Sequence, residues 1–538
     1  MIYKYGIDFG TTNSSIAMSF EESSQLYTQV VHLKDEFPRE TIPSVILIES
    51  NGRIYAGDKA KKRYMQEGAR SKSSRYIKQI KLDLEEYGSD LHYEHNGYSF
   101  AAATLIAAIL SELRQKAERA AKENDIKISG VVMGVPVQYG DIQKNVLKQA
   151  LVEAGYYKTY KEADDKTEFV SEPVAVAVHY GLNLERDTTV MVFDFGGGTL
   201  DLAIVNLKNQ VGKDRLHPHK TIAKERITLG GEELTRLFFI NSFCSSAKYG
   251  TTRICAEFGF RRDLTAEKLW EKLQTCEEGI RFIDEIEKCK CDLSAMQTVK
   301  FSFLAAGIEL EEQKFRLDDL KIAIRDKLEE IDELVERCIA SGGLENQYAI
   351  DYVILAGGSS LILPVQELLI DKFGSNRVNS KPITANKESR QHARASEVLT
   401  SIVRGLSIVG CREEELIEDV VDCDYGVWDN EKNAFFPIVT TGTLVADTKV
   451  NQITFDGKFD EFSVVNKNAS SVKIDIYLRN LNGEQRLGTI LINHPGGKKY
   501  KIYMQIDKKK GSLEVMIYDR IKGRWFNDIP LAERTYTI

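Results

Sequence analysis

Two short stretches of this chain set a carboxylate beside a glycine-rich turn between apolar runs: "YGIDFGTTNSSIAM" at residues 5–18 and "VMVFDFGGGTLDLAIV" at 190–205. Aligned without gaps, residues 8–17 and 194–203 share Asp, Phe, Gly and the closing Ala, and Ile16 falls against Leu202. Turns of this kind expose backbone N–H groups, and Thr11, Thr12, Asn13 and Thr199 add polar side chains. Such a nest of donors suits an anion, phosphate above all. Asp8 and Asp194 would repel phosphate by themselves. They make sense if a divalent cation stands between, held through its waters, and Mg2+ is the ion that keeps its waters. A single copy reads equally well as a tight hairpin turn that uses Gly and Asp for backbone reasons. The matched pair, with an acid in each, favours phosphate.

These residues demand particular elements to hold them. In each copy an apolar run, an acid, a glycine-rich turn and a second apolar run predict a β-hairpin. Two copies imply two similar halves that each supply one hairpin to a shared site. A third element is "IDYVILAGGSSLILPVQELL" (350–369), in which a strand pattern ends in Gly357, Gly358, Ser359 and Ser360 before a helical pattern opens. Strand–glycine–helix is a common nucleotide-contact geometry, because the chain can approach closely and a helix N-terminus favours anions. Its sequence fits neither a Walker A loop nor GxGxxG. Further apolar residues, Leu269, Leu273, Cys276, Ile280 and Ile283, recur every three or four positions and predict one amphipathic helix from Leu269 to Leu293. Phe282, Ile286, Cys289 and Leu293 continue its buried stripe, whereas Glu287, Lys290, Cys291 and Ser294 share the other, polar face.

The whole chain bounds the answer. At 538 residues it is too long for one core, so two to four domains are expected. A net charge of −8 speaks against a nucleic-acid partner, which normally meets a basic field. No apolar run is long enough to cross a bilayer, and "MIYKYGIDFG" lacks the pattern of a signal peptide. The eight cysteines are scattered, and only Cys289 and Cys291 lie close, at a spacing that fits neither a zinc knuckle nor a redox CxxC. Free thiols in a reducing cytoplasm are the expectation, with no membrane and no nucleic acid as partners.

In order, the acid hairpin, the second acid hairpin and the AGGS turn resemble the phosphate 1, phosphate 2 and adenosine motifs of the actin, sugar kinase and heat-shock chaperone superfamily. The intervening stretches "VVMGVPVQYGDIQKNVLKQALVEAGY" (131–156), "FVSEPVAVAVHYGL" (169–182) and "ITLGGEEL" (227–234) resemble the ATPase domain of the 70-kDa heat-shock (DnaK-type) chaperones, over residues 3 to about 413. The resemblance implies an α/β, two-lobed, actin-like ATPase domain with a duplicated ribonuclease-H-like core at 1–413, lobes near 1–185 and 186–395, then a linker at 414–424. It implies ATP or ADP with Mg2+, and K+ as a candidate second ion. Asp8 and Asp194 would be the Mg2+ carboxylates. Gly10, Thr11, Thr12, Asn13, Gly196, Gly197, Gly198 and Thr199 would cradle the phosphates, with Gly230, Gly231, Glu232, Gly357, Gly358 and Ser359 also at the nucleotide. Lys78 of "RYIKQIK" matches the lysine that orients the attacking water, although the basic run around it reads mostly as a solvated face. Glu172 and Asp201 would complete the Mg2+ and water network, and Pro136 would couple nucleotide state to the rest of the molecule. Glu287, Lys290 and Ser294 fit ribose and adenine contacts, on a helix face that would look much the same if merely solvated.

The chain also departs from that pattern. Cys291 and Leu361 stand where the family has two arginines stacked on adenine, which puts adenine selectivity in question. Glu168 replaces an arginine that docks J-domain partners, so a standard J-domain partnership is disfavoured. A nucleotide-exchange factor and a polypeptide client remain the implied partners. From Tyr425 to Ile538 the texture turns to short strands, with hairpins expected at 472–492 around Asn482-Gly483 and at 498–519 around Lys510-Gly511. This region, 425–538, reads as an all-β sandwich and resembles the family's substrate-binding subdomain. The sequence ends at Ile538 with no pattern for the helical lid or acidic tail, so any bound peptide is expected to exchange fast. Three functions compete: an ATP-dependent, stress-response chaperone switch with slow hydrolysis; a nucleotide-gated scaffold with little turnover; and a small-molecule kinase, which would need a base and an acceptor pocket. The chaperone switch accounts for most of the features.

Overall fold

The computed structural model describes residues 3–22, 25–33, 40–67, 74–136, 139–181, 186–209, 218–305, 307–378, 387–411, 417–418, 420–421, 423–429, 434–441, 443, 461–463, 472–480, 483–492, 499–507, 512–519, 524–525 and 535–537. Its first sheet is built on the strand Tyr3–Phe9, which pairs antiparallel with Asn13–Glu22, itself paired to Gln25–Val30. On the other side Tyr3–Phe9 runs parallel to Ile128–Val135, and that strand runs parallel to Thr167–Ser171. The second sheet repeats this order. Thr188–Phe195 pairs antiparallel with Leu200–Leu207, which pairs with His219–Ile227, while Tyr352–Ala356 runs parallel on the opposite side. Even the outermost position recurs, as a parallel bridge between Val353 and Val378. The duplication read from ten aligned residues therefore extends to whole sheets.

Central strands of such sheets are covered on both faces, so their sequences are nearly continuous apolar runs rather than alternating ones. Every residue of "VMVFDF" (190–195) except the acid is an apolar residue of the buried core. The covering helices recur too: Ala102–Glu123, Asp141–Glu153 and Glu172–Gly181 in the first half, and Arg325–Ser341, Leu363–Phe373 and Lys387–Cys411 in the second. The last helix of each half crosses over. Glu172–Gly181 packs on the second sheet, and Lys387–Cys411 packs on the first sheet and on Glu172–Gly181. Val174, Val178, Val192, Val205, Ile402 and Leu406 share one buried cluster there. The crossing is so close that a Cβ on Gly405 would overlap the Ala175 carbonyl, and one on Gly6 would overlap the Ser407 amide.

One sequence expectation is corrected. The helix foreseen from Leu269 to Leu293 is two helices, Ala266–Leu273 and Glu277–Leu293. Cys276 is extended (φ −134°, ψ 153°), and Gly279 packs onto the backbone of Leu273, so the second helix starts afresh against the end of the first. Apolar spacing survives such a break, which is why periodicity alone could not show it.

Beyond Lys387–Cys411, Ile417–Glu418 adds to the edge of the second sheet, parallel to His219 and Lys220. Among the described residues two antiparallel sheets follow, one of four strands and one of five. Val427, Ile474, Ile476 and Ile490 of the first meet Ile502, Met504, Ile506, Leu513, Val515 and Ile517 of the second in one apolar cluster. Val472–Asn480 pairs with Gly483–Ile492, and Lys499–Asp507 with Ser512–Asp519. Asn482, Lys510 and Gly511, expected at the turns, lie outside the described residues.

Candidate functional site

The two acid-bearing turns face each other. In each, the first glycine amide donates to the carbonyl three residues on: Gly10 to Asn13 at 3.1 Å and Gly196 to Thr199 at 2.9 Å. The turns are so close that a Cβ on Gly197 would overlap the Thr12 methyl group, and one on Gly198 would lie 2.9 Å from Leu82. Thr11, Gly198 and Thr199 are buried, whereas Thr12 stands exposed at the mouth. A cleft lined by hydroxyls and bare backbone lies where the two halves meet.

Beneath the turns lies a buried acid cluster. Asp8 and Asp194 end the central strands of their sheets, opposite Gly134 and Ala356 respectively. Asp201 sits directly across from Asp194 on the next strand, and Glu172 opens the helix Glu172–Gly181. All four carboxylates are buried. Burial first, and then the Glu172 charge, push Asp8 up to about 7 against the pull of Lys81. Burial, with Glu172, Asp201 and Asp8, drives Asp194 well above the ordinary carboxylate range. Like charges confined in a buried site respond this way.

Two cations share the cluster. Lys81, in the helix Ile80–Tyr87, brings its Nζ to 2.5 Å from Glu172 Oε1, and both side chains are only 7% exposed. Arg226, opposite Asp201 on the strand His219–Ile227, places Nε 3.3 Å from Asp201 Oδ1 and Nη2 2.5 Å from Glu85. Asp201 Oδ1 nonetheless accepts no hydrogen bond among the described residues. Lys81 and Arg226 do not offset all of these acids, because Arg226 also pairs with Glu85, and Asp201 Oδ1 is left unsatisfied. That environment fits Mg2+. Among the described residues no group of three or more acidic, histidine or cysteine side chains is placed to chelate a metal directly, and a hydrated ion beside Asp8 and Asp194 is compatible with that.

Of the remaining candidates from the second half, Gly231 and Ser359 converge on the Gly196 carbonyl. It accepts from the Gly231 amide at 3.0 Å and from Ser359 Oγ at 2.7 Å. The Glu232 amide donates to the Gly197 carbonyl at 3.0 Å, and Gly230 packs on that same peptide, where a Cβ would overlap it. Gly357, at φ +73°, lies against Phe195, and a side chain there would meet the Phe195 carbonyl and Asp194 Oδ1, so only glycine suits this turn. Lys290 is buried. It donates to the Gly231 carbonyl at 2.6 Å and to Thr235 Oγ1 at 2.8 Å, and pairs with Glu287 at 2.7 Å. Ser294 Oγ accepts from the Leu363 amide at 3.2 Å, which joins this helix to the AGGS turn. Gly358 and Cys291 are exposed and Leu361 is half-buried.

Lys78 stands elsewhere. Its ammonium pairs with Asp284 at 3.3 Å at the rim, where Lys61 takes the other oxygen at 3.2 Å. Gln79 bonds Glu232 across the same gap. Pro136 is buried at the end of Ile128–Val135, its carbonyl accepting from the Tyr139 amide at 3.2 Å. Glu168 is paired with Lys4 at 3.1 Å. None of the eight cysteines is in a disulfide, and Cys289 is buried while Cys291 is exposed. The sequence reading passed over Lys81, Arg226 and Glu85. Lys81 follows Lys78 by one helical turn in the same basic run, and that spacing was the available signal.

Among protein families, the model described as Hsp70 protein matches residues 4–483 of the chain.

Proposed function

The chain belongs to the Hsp70 family, whose members bind ATP and ADP with Mg2+ and act as ATP-dependent chaperones on polypeptide clients, and on that premise we propose that it is a slow Mg-ATPase switch for polypeptide binding. The observation that carries this reading is the pair of facing turns with matched backbone hydrogen bonds above one buried acid cluster. In this reading Gly10 to Asn13 and Gly196 to Thr199 hold the phosphates. Asp8 and Asp194 hold the waters of Mg2+, which neutralises charge developing on the transferred phosphoryl group. Glu172 and Asp201 orient the attacking water, so catalysis is mainly positioning and electrostatics. Lys78 would leave Asp284 to steady the transferring group. Gly231, Glu232, Glu287, Lys290, Ser294, Gly358 and Ser359 form the wall for the nucleoside. The paired β-sheets at 425–538 take the polypeptide, and the strand Ile417–Glu418 is the link through which nucleotide state is felt.

Single-turnover hydrolysis of Mg-ATP by the full chain, with no acceptor and no partner, tests this. The parent should release phosphate, and Lys78→Ala should bind nucleotide yet hydrolyse it at least about a hundredfold more slowly. Binding without hydrolysis by the parent would instead identify a nucleotide-gated scaffold.

A further inference from the structure

The base of the nucleotide would lie between the helix Glu277–Leu293 and the turn at 357–361, which meet where Ser294 Oγ accepts from the Leu363 amide. Most donors along that wall are already engaged within the protein. An ammonium carries three N–H groups. Lys290, 1% exposed, has three acceptors for them: the Gly231 carbonyl at 2.6 Å, Glu287 Oε2 at 2.7 Å and Thr235 Oγ1 at 2.8 Å. None is left for a ligand. In the turn, Ser359 Oγ donates to the Gly196 carbonyl and Ser360 Oγ to the Gly357 carbonyl, each at 2.7 Å. A hydroxyl has one proton, so neither serine can also donate to a base. Ser294 keeps its proton, but a hydroxyl both donates and accepts and so suits the edge of any base.

What remains exposed is Cys291, part of Leu361 and the bare backbone at Gly358. Dispersion against a thiol and a leucine differs little among the four bases, beyond the larger area of the purines. Glu287 keeps its side chain 46% exposed and only accepts, which suits the two hydroxyls of a ribose. Sugar and phosphates are common to all ribonucleotides. We propose that this site takes the Mg2+ complexes of ribonucleoside triphosphates as a class, ATP among them, gripping phosphates and sugar and discriminating weakly by base. A pocket whose polar groups must be paired by the ligand rejects the wrong one by orders of magnitude, whereas apolar contact separates ligands only modestly. The proposal rests on the Mg-ATP reading, and the titrations below separate the two.

The full-length protein is titrated by calorimetry with the Mg2+ complexes of ADP, GDP, CDP and UDP, and single-turnover hydrolysis is followed with the four triphosphates. Dissociation constants and rates should agree within about tenfold, purines ahead of pyrimidines. A wider preference for ADP and ATP overturns the proposal and leaves the ATPase reading intact. If none of the four diphosphates binds, the nucleotide reading itself fails and takes the proposal with it. Cys291→Arg locates the base. A guanidinium gains more from the larger face of a purine than from a pyrimidine, so the preference for ADP over UDP should rise about threefold or more. An unchanged ratio in a variant that folds puts the base elsewhere and overturns the proposal.

Discussion

At the scale of single residues, the site depends on atoms that are absent as much as on those present. Gly197 meets Thr12 from the other half with no room for a side chain, and Gly230 meets the Gly197 peptide. Gly197→Val would wedge the turns apart, since forcing extra carbons into a filled contact costs about 1–3 kcal/mol. We expect Mg-ADP affinity, measured by calorimetry, to fall at least about tenfold with far-ultraviolet circular dichroism unchanged; parental affinity would show that the two turns do not close on one ligand. These glycines were legible in the sequence because the backbone demands of a turn are local. Lys81 and Arg226 were not, because a basic residue is normally solvated and nothing local marks one that packs against acids from a distant strand.

At the scale of elements, the cleft is closed by ion pairs between halves. Arg226, 3% exposed in its side chain, reaches Glu85 of the helix Ile80–Tyr87. Asp201 would still face Arg226, but the Nη2 bond to Glu85 would be lost, so Glu85→Ala should destabilise the protein by about 2 kcal/mol. A drop of several degrees in melting temperature is the expected outcome, and one shared with Arg226→Ala rather than added to it. Full additivity of the two losses would mean that the pair contributes no coupling. The crossing of Lys387–Cys411 over Glu172–Gly181 makes a second, independent demand. Gly405→Val should push that helix off Ala175 and lower the melting temperature by more than the same change at Gly250, which meets no neighbour within 4 Å. Equal losses at the two sites would remove the crossing from the account of stability.

At the scale of the whole molecule, the buried His219 and the half-buried His179 tie stability to pH. Burial, and for His179 also Arg404, lowers both His179 and His219 from 6.5 to about 4. The folded state therefore prefers the neutral rings. Stability from this source is complete above 6.5 and is lost as pH falls towards 4, by up to about 3 kcal/mol for each histidine. Asp8 and Asp194, held above the ordinary carboxylate range, pull the other way by favouring the folded state as pH falls, so the histidine part is read as a difference: between pH 7 and pH 5 the melting temperature of His219→Gln should rise relative to the parent. An identical pH slope in the variant would exclude His219 as a contributor. No helix among the described residues is long and apolar enough to cross a membrane.

The sequence by itself determined the two acid turns, the duplication they announce, the glycines at 357–358, and the paired strands at 472–492 and 498–519. Each is a local demand of the backbone or a period in apolar residues, and such demands are written in consecutive residues. Only the tertiary structure decided that the predicted helix at 269–293 breaks at Cys276, that Lys290 turns inward to Gly231, and that Lys78 rests on Asp284 while Lys81 enters the acid cluster. Those outcomes depend on which charges and surfaces meet across strands remote in the chain. A side chain's burial is set by its neighbours in space, and periodicity along the sequence does not contain them.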